Sequence, residues 1–199
     1  IMPSLVGSEM CIRDSNNIIP WIDCRGTFLK GQMMFSKFYP SMYVDSAYKI
    51  DYEYMYKKGL RGIIFDVDNT LVPHGAPATE EAVLLFKKLH EMGINTCIIS
   101  NNKEPRVAPF ANLVGSEYIF KAGKPKKTNY IKAMEIMGTD ISNTYFIGDQ
   151  IFTDIYGANR TGIPSILVKP INKKEEIQIV LKRKLEKIVL FFYKRKNKI

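Results

Sequence analysis

Short apolar runs alternate with longer amphipathic segments along most of this chain. Apolar runs of about four to eight residues between turn signals are typical of buried strands, and apolar residues recurring every three or four positions are typical of helices. Strands are predicted near 61–67, 94–99, 117–121, 143–147 and 164–168, and helices near 46–58, 79–92, 104–113, 126–137, 152–160 and 173–195. This alternation predicts an α/β fold in which helices cover both faces of a parallel sheet of about five strands.

Four of the predicted strands run into side chains that can do chemistry. The first ends on Asp66 and Asp68, the second on Ser100, the third shortly before Lys124 and the fourth shortly before Asp149. Because side chains repeat every two residues in a strand, Asp66 and Asp68 are expected to start on one side, where a cation such as Mg²⁺ would offset their repulsion. Open α/β sheets bind ligands at the carboxyl ends of their strands, so we expect one site there. The alternative for the acid pair is a turn whose carboxylates cap the next helix.

The order of these residues (acid pair, hydroxyl, lysine, second acid pair) resembles the four motifs of the haloacid dehalogenase (HAD) phosphatase superfamily. The wording is most similar to the YqeG-type branch (subclass IIIA), which is related to mitochondrial and plastid phosphatidylglycerophosphate phosphatases. The resemblance covers roughly residues 59–170, and it implies a Rossmann-like three-layer sandwich that hydrolyses phosphomonoesters. The motifs are FDVDNTLV at 65–72, IISNN at 98–102, KAGKP at 121–125 and IGDQIFTDIYGANRTG at 147–162.

This resemblance implies a covalent mechanism with four catalytic residues. Asp66 would be the nucleophile that takes the phosphoryl group as an aspartyl phosphate, which divides one difficult displacement into two easier ones. Asp68 would act as general acid toward the leaving alcohol and then as general base toward water. Ser100 would hydrogen-bond the transferring phosphoryl oxygens, and Lys124 would neutralise the charge of the nucleophile and the phosphate.

Mg²⁺ is the cofactor that the same resemblance implies. The carboxylates of Asp66 and Asp149 and the backbone carbonyl of Asp68 would be its ligands, since Mg²⁺ usually takes few protein ligands and keeps several waters. Asp154 would hold a metal-bound water or orient Lys124.

Three further residues are expected on the substrate side of the site. Thr70 would brace the acid loop, a backbone N–H at Asn101 would reach the phosphoryl oxygens, and Arg160 would bind a head-group phosphate. His74 follows the acid loop, although a lone loop histidine is more often exposed to solvent. Ordinary structural alternatives are a helix cap for Ser100, a solvated loop residue for Lys124, a helix-start acid for Asp154, a turn residue for Asp149 and a helix-end arginine for Arg160.

The spacing of the motifs leaves no room for a lid domain. HAD enzymes commonly insert substrate-selecting caps after the first motif or after the second. Here Ser100 follows Asp68 by 32 residues and Lys124 follows Ser100 by 24, enough for one helix and one strand each. The chain therefore resembles a capless member with an open site, which favours a phosphate that projects from something large, such as a lipid head group.

Positive charge is concentrated near the C-terminal end of this sequence. The formal net charge is +9, and residues 172–199 contain ten Lys/Arg and three Glu, whereas residues 1–32 contain three of each sign. A basic amphipathic helix over 173–198 is typical of contact with an anionic membrane surface. Packing of its apolar stripe on the domain and contact with RNA or ribosome are the alternatives. The stripe consists of Ile177, Leu181, Leu185, Ile188 and Phe192.

The predicted organisation has three parts. Residues 1–15 resemble a translated sequencing adapter, and 1–32 are expected to be a non-native, disordered leader before a start at Met33 or Met34. The HAD domain is expected at 33–171 and the basic helix at 172–199. Of the three cysteines only Cys97 lies in that domain, so no internal disulfide is expected, which fits a reducing cytoplasm. The sequence shows no signal peptide and no apolar run of about 18 residues, so a transmembrane segment is not expected.

Together these patterns predict a cytoplasmic Mg²⁺-dependent phosphatase, located at the inner face of the membrane if the basic helix binds lipid. The favoured substrate is phosphatidylglycerophosphate or another large or membrane-borne phosphate. The alternatives are a soluble metabolite phosphatase and an RNA- or ribosome-associated binding module with little catalysis, whose binding would weaken steeply with salt.

Overall fold

The computed structural model of the chain describes residues 35–172 and 177–197, and it describes the side chains of the last helix from residue 184 onward. All of these residues lie within the unit Gly31–Ile199, and the predicted leader 1–32 lies outside the described residues. The strands are β1 (Met42–Val44), β2 (Gly62–Phe65), β3 (Asn95–Ile99), β4 (Glu117–Ile119), β5 (Thr144–Gly148) and β6 (Ser165–Val168). The α-helices are α1 (Tyr52–Lys57), α2 (Glu80–Glu91), α3 (Glu104–Val114), α4 (Thr128–Met137), α5 (Tyr156–Thr161) and α6 (Ile177–Asn197).

Six parallel strands form one sheet in the order β1-β6-β5-β2-β3-β4. The prediction of an α/β fold with a parallel sheet is confirmed, but the estimate of about five strands was one short. The missed strand, β1, is three residues long and, among the described strands, pairs with β6 alone at the edge of the sheet. A strand this short has too few residues to show a period, so only its pairing partner identifies it.

The central strands are buried on both faces, as their continuous apolar runs predicted. All four residues of β2 are buried. Helix α2 begins where the sequence indicated, because the side chain of Thr79 accepts a hydrogen bond from the backbone N–H of Ala82. It buries Ala82, Phe86 and Leu89 against the sheet, and the ring of Phe86 lies 5.0 Å from that of Phe65. The segment 46–58, predicted as one helix, instead forms a 3₁₀ turn at Ala47–Lys49 and then α1.

Neither of the two segments between the first three motifs contains a cap domain, as the motif spacing predicted. All residues between Asp68 and Ser100 are described, and they form a loop, α2 and β3. Those between Ser100 and Lys124 form α3 and β4. The carboxyl ends of β2, β3 and β5 are therefore left without a lid from this part of the chain.

Helix α6 packs on the domain through a face that the sequence pattern did not single out. Glu186, Val189 and Tyr193 are buried, and the carboxylate of Glu186 accepts a hydrogen bond of 2.8 Å from the backbone N–H of Ile151. Two residues of the predicted stripe face solvent instead: Leu185 and Ile188 are 53 % and 49 % exposed, and neighbouring Phe191 is 60 % exposed. Phe192 is 38 % exposed, and its ring stacks on that of Phe35 at 5.9 Å. Ile177 and Leu181 lie outside the part of the helix whose side chains are described. The alternative in which that stripe packs on the domain is therefore wrong for Leu185 and Ile188 but holds for Phe192. None of the described helices has the length and apolar content needed to cross a membrane.

Candidate active site

A buried ion-pair cluster lies at the carboxyl end of β2. The ammonium group of Lys124 donates to Asp66 Oδ1 at 2.6 Å and lies 2.8 Å from Asp154 Oδ1. The Lys124 side chain is only 3 % exposed, so the alternative of a solvated loop lysine is wrong. A charge this deeply buried requires partners, and the two carboxylates provide them.

Two more polar side chains complete the cluster. The hydroxyl of Thr70 is 3.4 Å from Asp66 Oδ2 and 3.3 Å from Asp149 Oδ1, so it can donate to either carboxylate. Asp149 is 1 % exposed, and it follows Gly148, the last residue of β5. The structure thus brings together the acids after β2 and β5 as the strand-end argument predicted.

Burial dominates the protonation of the cluster. Removal from water is the main cause that raises the pKa of Asp66 to about 6; the nearby charges of Asp154 and Asp68 act in the same direction, and Lys124 acts against them. Burial by itself would lower the pKa of Lys124, but Asp154 and Asp66 more than compensate and hold that pKa above its ordinary value. Lys124 is therefore a permanent cation in this site.

The residues present fit a hard divalent cation. One carboxylate oxygen each from Asp66, Asp149 and Asp154 lies within 4.8 Å of the other two, and all three residues are buried. Within the described cluster, three carboxylates face one lysine, which leaves negative charge for a cation to balance. An all-oxygen donor set of this kind suits Mg²⁺, Mn²⁺ or Ca²⁺ better than a softer metal such as Zn²⁺.

The loop that carries Lys124 is held by the residue after the hydroxyl motif. The side chain of Asn101 accepts from the backbone N–H of Lys124 at 2.8 Å, and its amide also donates to the Lys124 carbonyl at 3.4 Å. Ser100 is buried, and its Oγ accepts from the backbone N–H of Asn102 at 3.2 Å. This is a turn rather than the helix cap considered for Ser100, because α3 begins only at Glu104. The expected contacts of Ser100 and the Asn101 N–H with a phosphoryl group stay predictions.

Asp154 lies in a π-helical turn, Ile151–Ile155, that leads from β5 into α5. Its Oδ2 accepts from the backbone N–H of Gln150 at 3.1 Å, and the hydroxyl of Tyr130 donates to the carbonyl of Thr153 at 2.9 Å. Asp154 is 1 % exposed, so the alternative of an ordinary helix-start acid does not describe it. Such π-turns are rare and frequently occur at functional sites.

The carboxylate of Asp68 does not join that of Asp66. It accepts from Arg106 Nη2 at 2.7 Å, from Asn102 Nδ2 at 2.6 Å and from the backbone N–H of Gly75 at 2.8 Å. The expectation of a cation shared between the two side chains is corrected: β2 ends at Phe65, so the period of two no longer applies beyond it. Arg106 offsets the charge of Asp68, and the backbone carbonyl of Asp68 as a metal ligand stays a prediction.

Arg106 and Asn102 are site residues that the sequence analysis missed. Arg106 lies in the first turn of α3, where the helix dipole disfavours a cation. The sequence did contain a signal: an arginine in the first turn of a helix, shortly after a candidate motif, needs an acid nearby to compensate its charge.

Two of the candidate residues lie away from the buried acids. Arg160 is exposed, and its guanidinium donates to the carbonyl of Pro125 at 3.4 Å and stacks over the ring of Tyr156 at 5.4 Å. His74 lies beside Asp68, with 3.9 Å between Nδ1 and Oδ1, and its side chain is 52 % exposed. Arg160 as a head-group ligand stays a prediction.

Gly148 allows Asp154 to approach the end of β5. A Cβ added at Gly148 would lie 2.6 Å from Asp154 Oδ2 and 2.8 Å from Asp154 Cβ, closer than carbon atoms tolerate. We expect Gly148→Ala to lower the free energy of unfolding by about 1–3 kcal/mol and to lower turnover by displacing Asp154. Urea unfolding and a phosphate-release assay measure the two effects. If neither the free energy of unfolding nor turnover changed, Asp154 could move at no cost.

Comparison with known proteins agrees with this geometry. Residues 75–162 match the family model described as haloacid dehalogenase-like hydrolase. Probable phosphatase YqeG of Bacillus subtilis is 36 % identical over 168 residues, which are 83 % of this chain and 98 % of that protein. Phosphatidylglycerophosphate phosphatase 1, chloroplastic/mitochondrial, of Arabidopsis thaliana is 26 % identical over 175 residues, and the match spans 79 % of this chain and 49 % of that protein.

Among solved structures, 3-deoxy-D-manno-octulosonate 8-phosphate phosphatase from Moraxella catarrhalis, in complex with magnesium, phosphate and its sugar, is 19 % identical with a TM-score of 0.48. That match covers 61 % of this chain and 76 % of the other. The sequence match to the Bacillus phosphatase over nearly its whole length is the decisive one. The chain therefore belongs to the haloacid dehalogenase-like hydrolases and is a phosphatase of that family.

Proposed function

We propose that the protein hydrolyses phosphomonoesters with Mg²⁺ through a phosphoryl intermediate on Asp66. The observation that carries this proposal is the buried Asp66 carboxylate, held at 2.6 Å by Lys124 beside Asp149 and Asp154. A buried carboxylate with one cationic partner and two acidic neighbours suits a nucleophile that works together with a metal ion.

The proposed reaction has two steps that use the side chains of this chain. In the first, an Asp66 oxygen bonds to phosphorus, the ester oxygen departs, and Asp68 gives that oxygen a proton. In the second, Asp68 takes a proton from water, the water oxygen bonds to phosphorus, and the Asp66–phosphate bond breaks to release inorganic phosphate. Asp66, Asp149 and Asp154 would hold Mg²⁺, which would supply the positive charge that lets a carboxylate approach a phosphate. Lys124 stabilises the negative charge that both steps leave on the phosphoryl oxygens.

The proposed substrate is a phosphate carried by a membrane lipid, namely phosphatidylglycerophosphate. The open end of the sheet admits a phosphate that projects from a large surface. Helix α6 borders the site, because Asp149, Glu186 and Lys187 line one cavity of about 170 Å³. The same helix exposes Leu185, Ile188 and Phe191 among basic residues, as peripheral membrane helices do. The name of the Arabidopsis relative points to the same substrate.

Phosphate release from the full chain tests this proposal. The substrates are phosphatidylglycerophosphate in vesicles of phosphatidylglycerol and phosphatidylcholine, and a panel of soluble monoesters, each with Mg²⁺ and with EDTA. Mg²⁺-dependent turnover that favours the lipid supports the proposal. Preference for a soluble ester would assign a metabolite phosphatase, and absence of turnover would favour a binding module.

Asp68→Asn is expected to lower kcat by about 10²–10⁴-fold, the range that general acid–base catalysis contributes. Asparagine keeps the size of the side chain and still accepts a hydrogen bond from Arg106, so the fold should be unaffected. With p-nitrophenyl phosphate, whose leaving group needs no proton, Asp68→Asn should slow the first step less than it does with an alkyl ester. A loss of only about twofold with an alkyl ester would remove Asp68 from this role.

Ile188→Asn is expected to weaken binding to anionic vesicles by about tenfold. Ile188 is 49 % exposed, so its burial in lipid should contribute roughly 1.4 kcal/mol, half that of a fully buried isoleucine. Leu84→Asn is the matched control, because Leu84 is 59 % exposed on α2. Equal vesicle binding by the two variants would argue against contact through α6.

A further inference from the structure

Asp68 lies in a pocket lined by hydrogen-bond donors and basic side chains. Oδ1 is 2.7 Å from Arg106 Nη2 and 3.3 Å from Arg106 Nε, and His74 Nδ1 is 3.9 Å from the same oxygen. Asn102 donates to Oδ2 at 2.6 Å, and the backbone N–H of Gly75 donates to Oδ1. Two basic side chains and one amide thus meet on the side where the proposed general acid contacts the leaving group.

Some N–H groups of the Arg106 guanidinium are not used in the contact with Asp68. Its Nη1 group donates to no residue in the described part of the chain, and 22 % of its side chain is exposed. A guanidinium presents five N–H groups in a planar fork that matches phosphate oxygens in pairs. Arg106 can therefore accept an anionic ligand from solvent while it still contacts Asp68.

The surroundings of Asn102 are also basic. Lys103 follows it in the chain, and the backbone N–H of Lys121 donates to its carbonyl at 2.9 Å. Both lysines are exposed. The acids in this region are Asp68 and Glu104, and the carboxylate of Glu104 accepts from the hydroxyl of Tyr118 at 3.4 Å. The rim beside Asp68 is thus cationic, in contrast to the acidic cluster around Asp66.

We infer that Arg106, with His74 and Asn102, forms a subsite for a second phosphate group carried by the leaving alcohol. This inference rests on the proposed function, because it takes the leaving oxygen to lie at Asp68. A leaving oxygen in contact with Asp68 lies about two hydrogen-bond lengths, roughly 5–6 Å, from the guanidinium. A link of about three carbons spans this distance, so the preferred substrates carry a phosphodiester or phosphate one glycerol-sized link from the scissile ester.

Arginine is the side chain suited to this task. It binds phosphate through two parallel N–H donors, and it stays charged at every working pH. The subsite gives an open enzyme a source of selectivity that a cap would otherwise supply, since a monoester without a second anion makes no use of the Nη1 group of Arg106.

A matched pair of soluble substrates tests the subsite. Glycerol 1-phosphate and glycerophosphoglycerol phosphate share the scissile ester, and only the second carries a further phosphate. For the full-length protein with Mg²⁺ we expect kcat/KM to favour the second by at least about tenfold, the effect of one charge-assisted hydrogen bond. Arg106→Gln should reduce this ratio to about two or less, Arg106→Lys should keep part of it, and Arg61→Gln, at the opposite end of β2, should leave it unchanged.

The ratio separates recognition from positioning. If Arg106→Gln lowers kcat/KM for both substrates by the same factor, Arg106 only orients Asp68, and the subsite is wrong. Equal kcat/KM for both substrates with the unmodified protein would also overturn the subsite, while leaving the phosphatase proposal intact. If neither soluble compound is hydrolysed, calorimetric binding of the two compounds decides the subsite: tighter binding of glycerophosphoglycerol phosphate that depends on Arg106 supports it, and equal binding overturns it. The proposed function fails only if phosphatidylglycerophosphate in vesicles is not hydrolysed either.

A third substrate shows whether Arg106 recognises the lipid head group or the lipid surface. Phosphatidylglycerophosphate in vesicles carries the same two phosphates as the soluble compound. If Arg106→Gln lowers kcat/KM by the same factor with phosphatidylglycerophosphate and with glycerophosphoglycerol phosphate, Arg106 recognises the head group, and the subsite is supported. An Arg106 effect that appears only with vesicles would show that Arg106 contacts the lipid surface rather than the leaving group, and it would overturn the subsite.

Discussion

Asp66→Asn is expected to yield a folded protein with no measurable phosphate release. The amide cannot form the acyl phosphate, and in enzymes with covalent catalysis removal of the nucleophile costs up to about 10⁶-fold in kcat. The fold should persist because Asp154 still pairs with Lys124 at 2.8 Å. The variant also removes a buried carboxylate whose pKa burial has raised to about 6, so its stability near neutral pH should not fall.

Asp51→Asn is the matched control for this experiment. Asp51 is exposed and caps α1 by accepting from the backbone N–H of Tyr54, which asparagine does equally well. We expect full activity from it in the same assay. Turnover by Asp66→Asn that is near normal and depends on Mg²⁺ would assign the nucleophile elsewhere.

Lys124→Met is expected to lose both activity and stability. It leaves the carboxylates of Asp66 and Asp154 buried without their cation, and breaking a buried pair in this way typically costs about 3–5 kcal/mol. Unfolding in urea with EDTA measures the loss. Added Mg²⁺ should recover part of it, because a cation that binds the three acids in the folded state replaces the missing charge.

The stability deficit of Lys124→Met should depend on pH in a defined direction. The pKa of Asp66 is already raised in the folded state, and loss of Lys124 raises it further. An acid with a raised folded pKa binds protons more tightly when folded, so stability falls as pH rises from the ordinary value of 3.8 through the folded pKa. In EDTA the deficit relative to the unmodified protein should therefore be larger at pH 8 than at pH 5.

Lys126→Met separates this effect from a general effect of lysine loss. Lys126 is exposed in the same loop, so its replacement should change stability by no more than about 0.5 kcal/mol. If Lys124→Met were as stable as Lys126→Met in EDTA at pH 8, the buried carboxylates would have to be protonated in the folded protein. The proposed role of Lys124 as charge partner of the nucleophile would then be wrong.

Local signals in the sequence determined most of the secondary structure. Thr79 caps α2 at the start of the helix predicted near 79–92, and Gly138 ends α4 in the left-handed conformation with φ 65°. Each signal acts within one helical turn, so no distant residue is needed to read it. The continuous apolar runs of β2 to β6 are likewise local signals. Strand β1 is too short to show such a run, so its identity as a strand depends on its pairing with β6.

The sequence by itself also determined that the reactive residues meet, since parallel strands place their carboxyl ends at one edge of the sheet. Only the tertiary structure decided which side chains pair there. Asp68 contacts Arg106, 38 residues away in the chain, instead of sharing a cation with Asp66. Helix α6 packs through Val189 and exposes Leu185 and Ile188 of the stripe that the pattern had singled out. Helical periodicity identifies apolar faces but not the surface that each face contacts, because that depends on residues brought together only by folding.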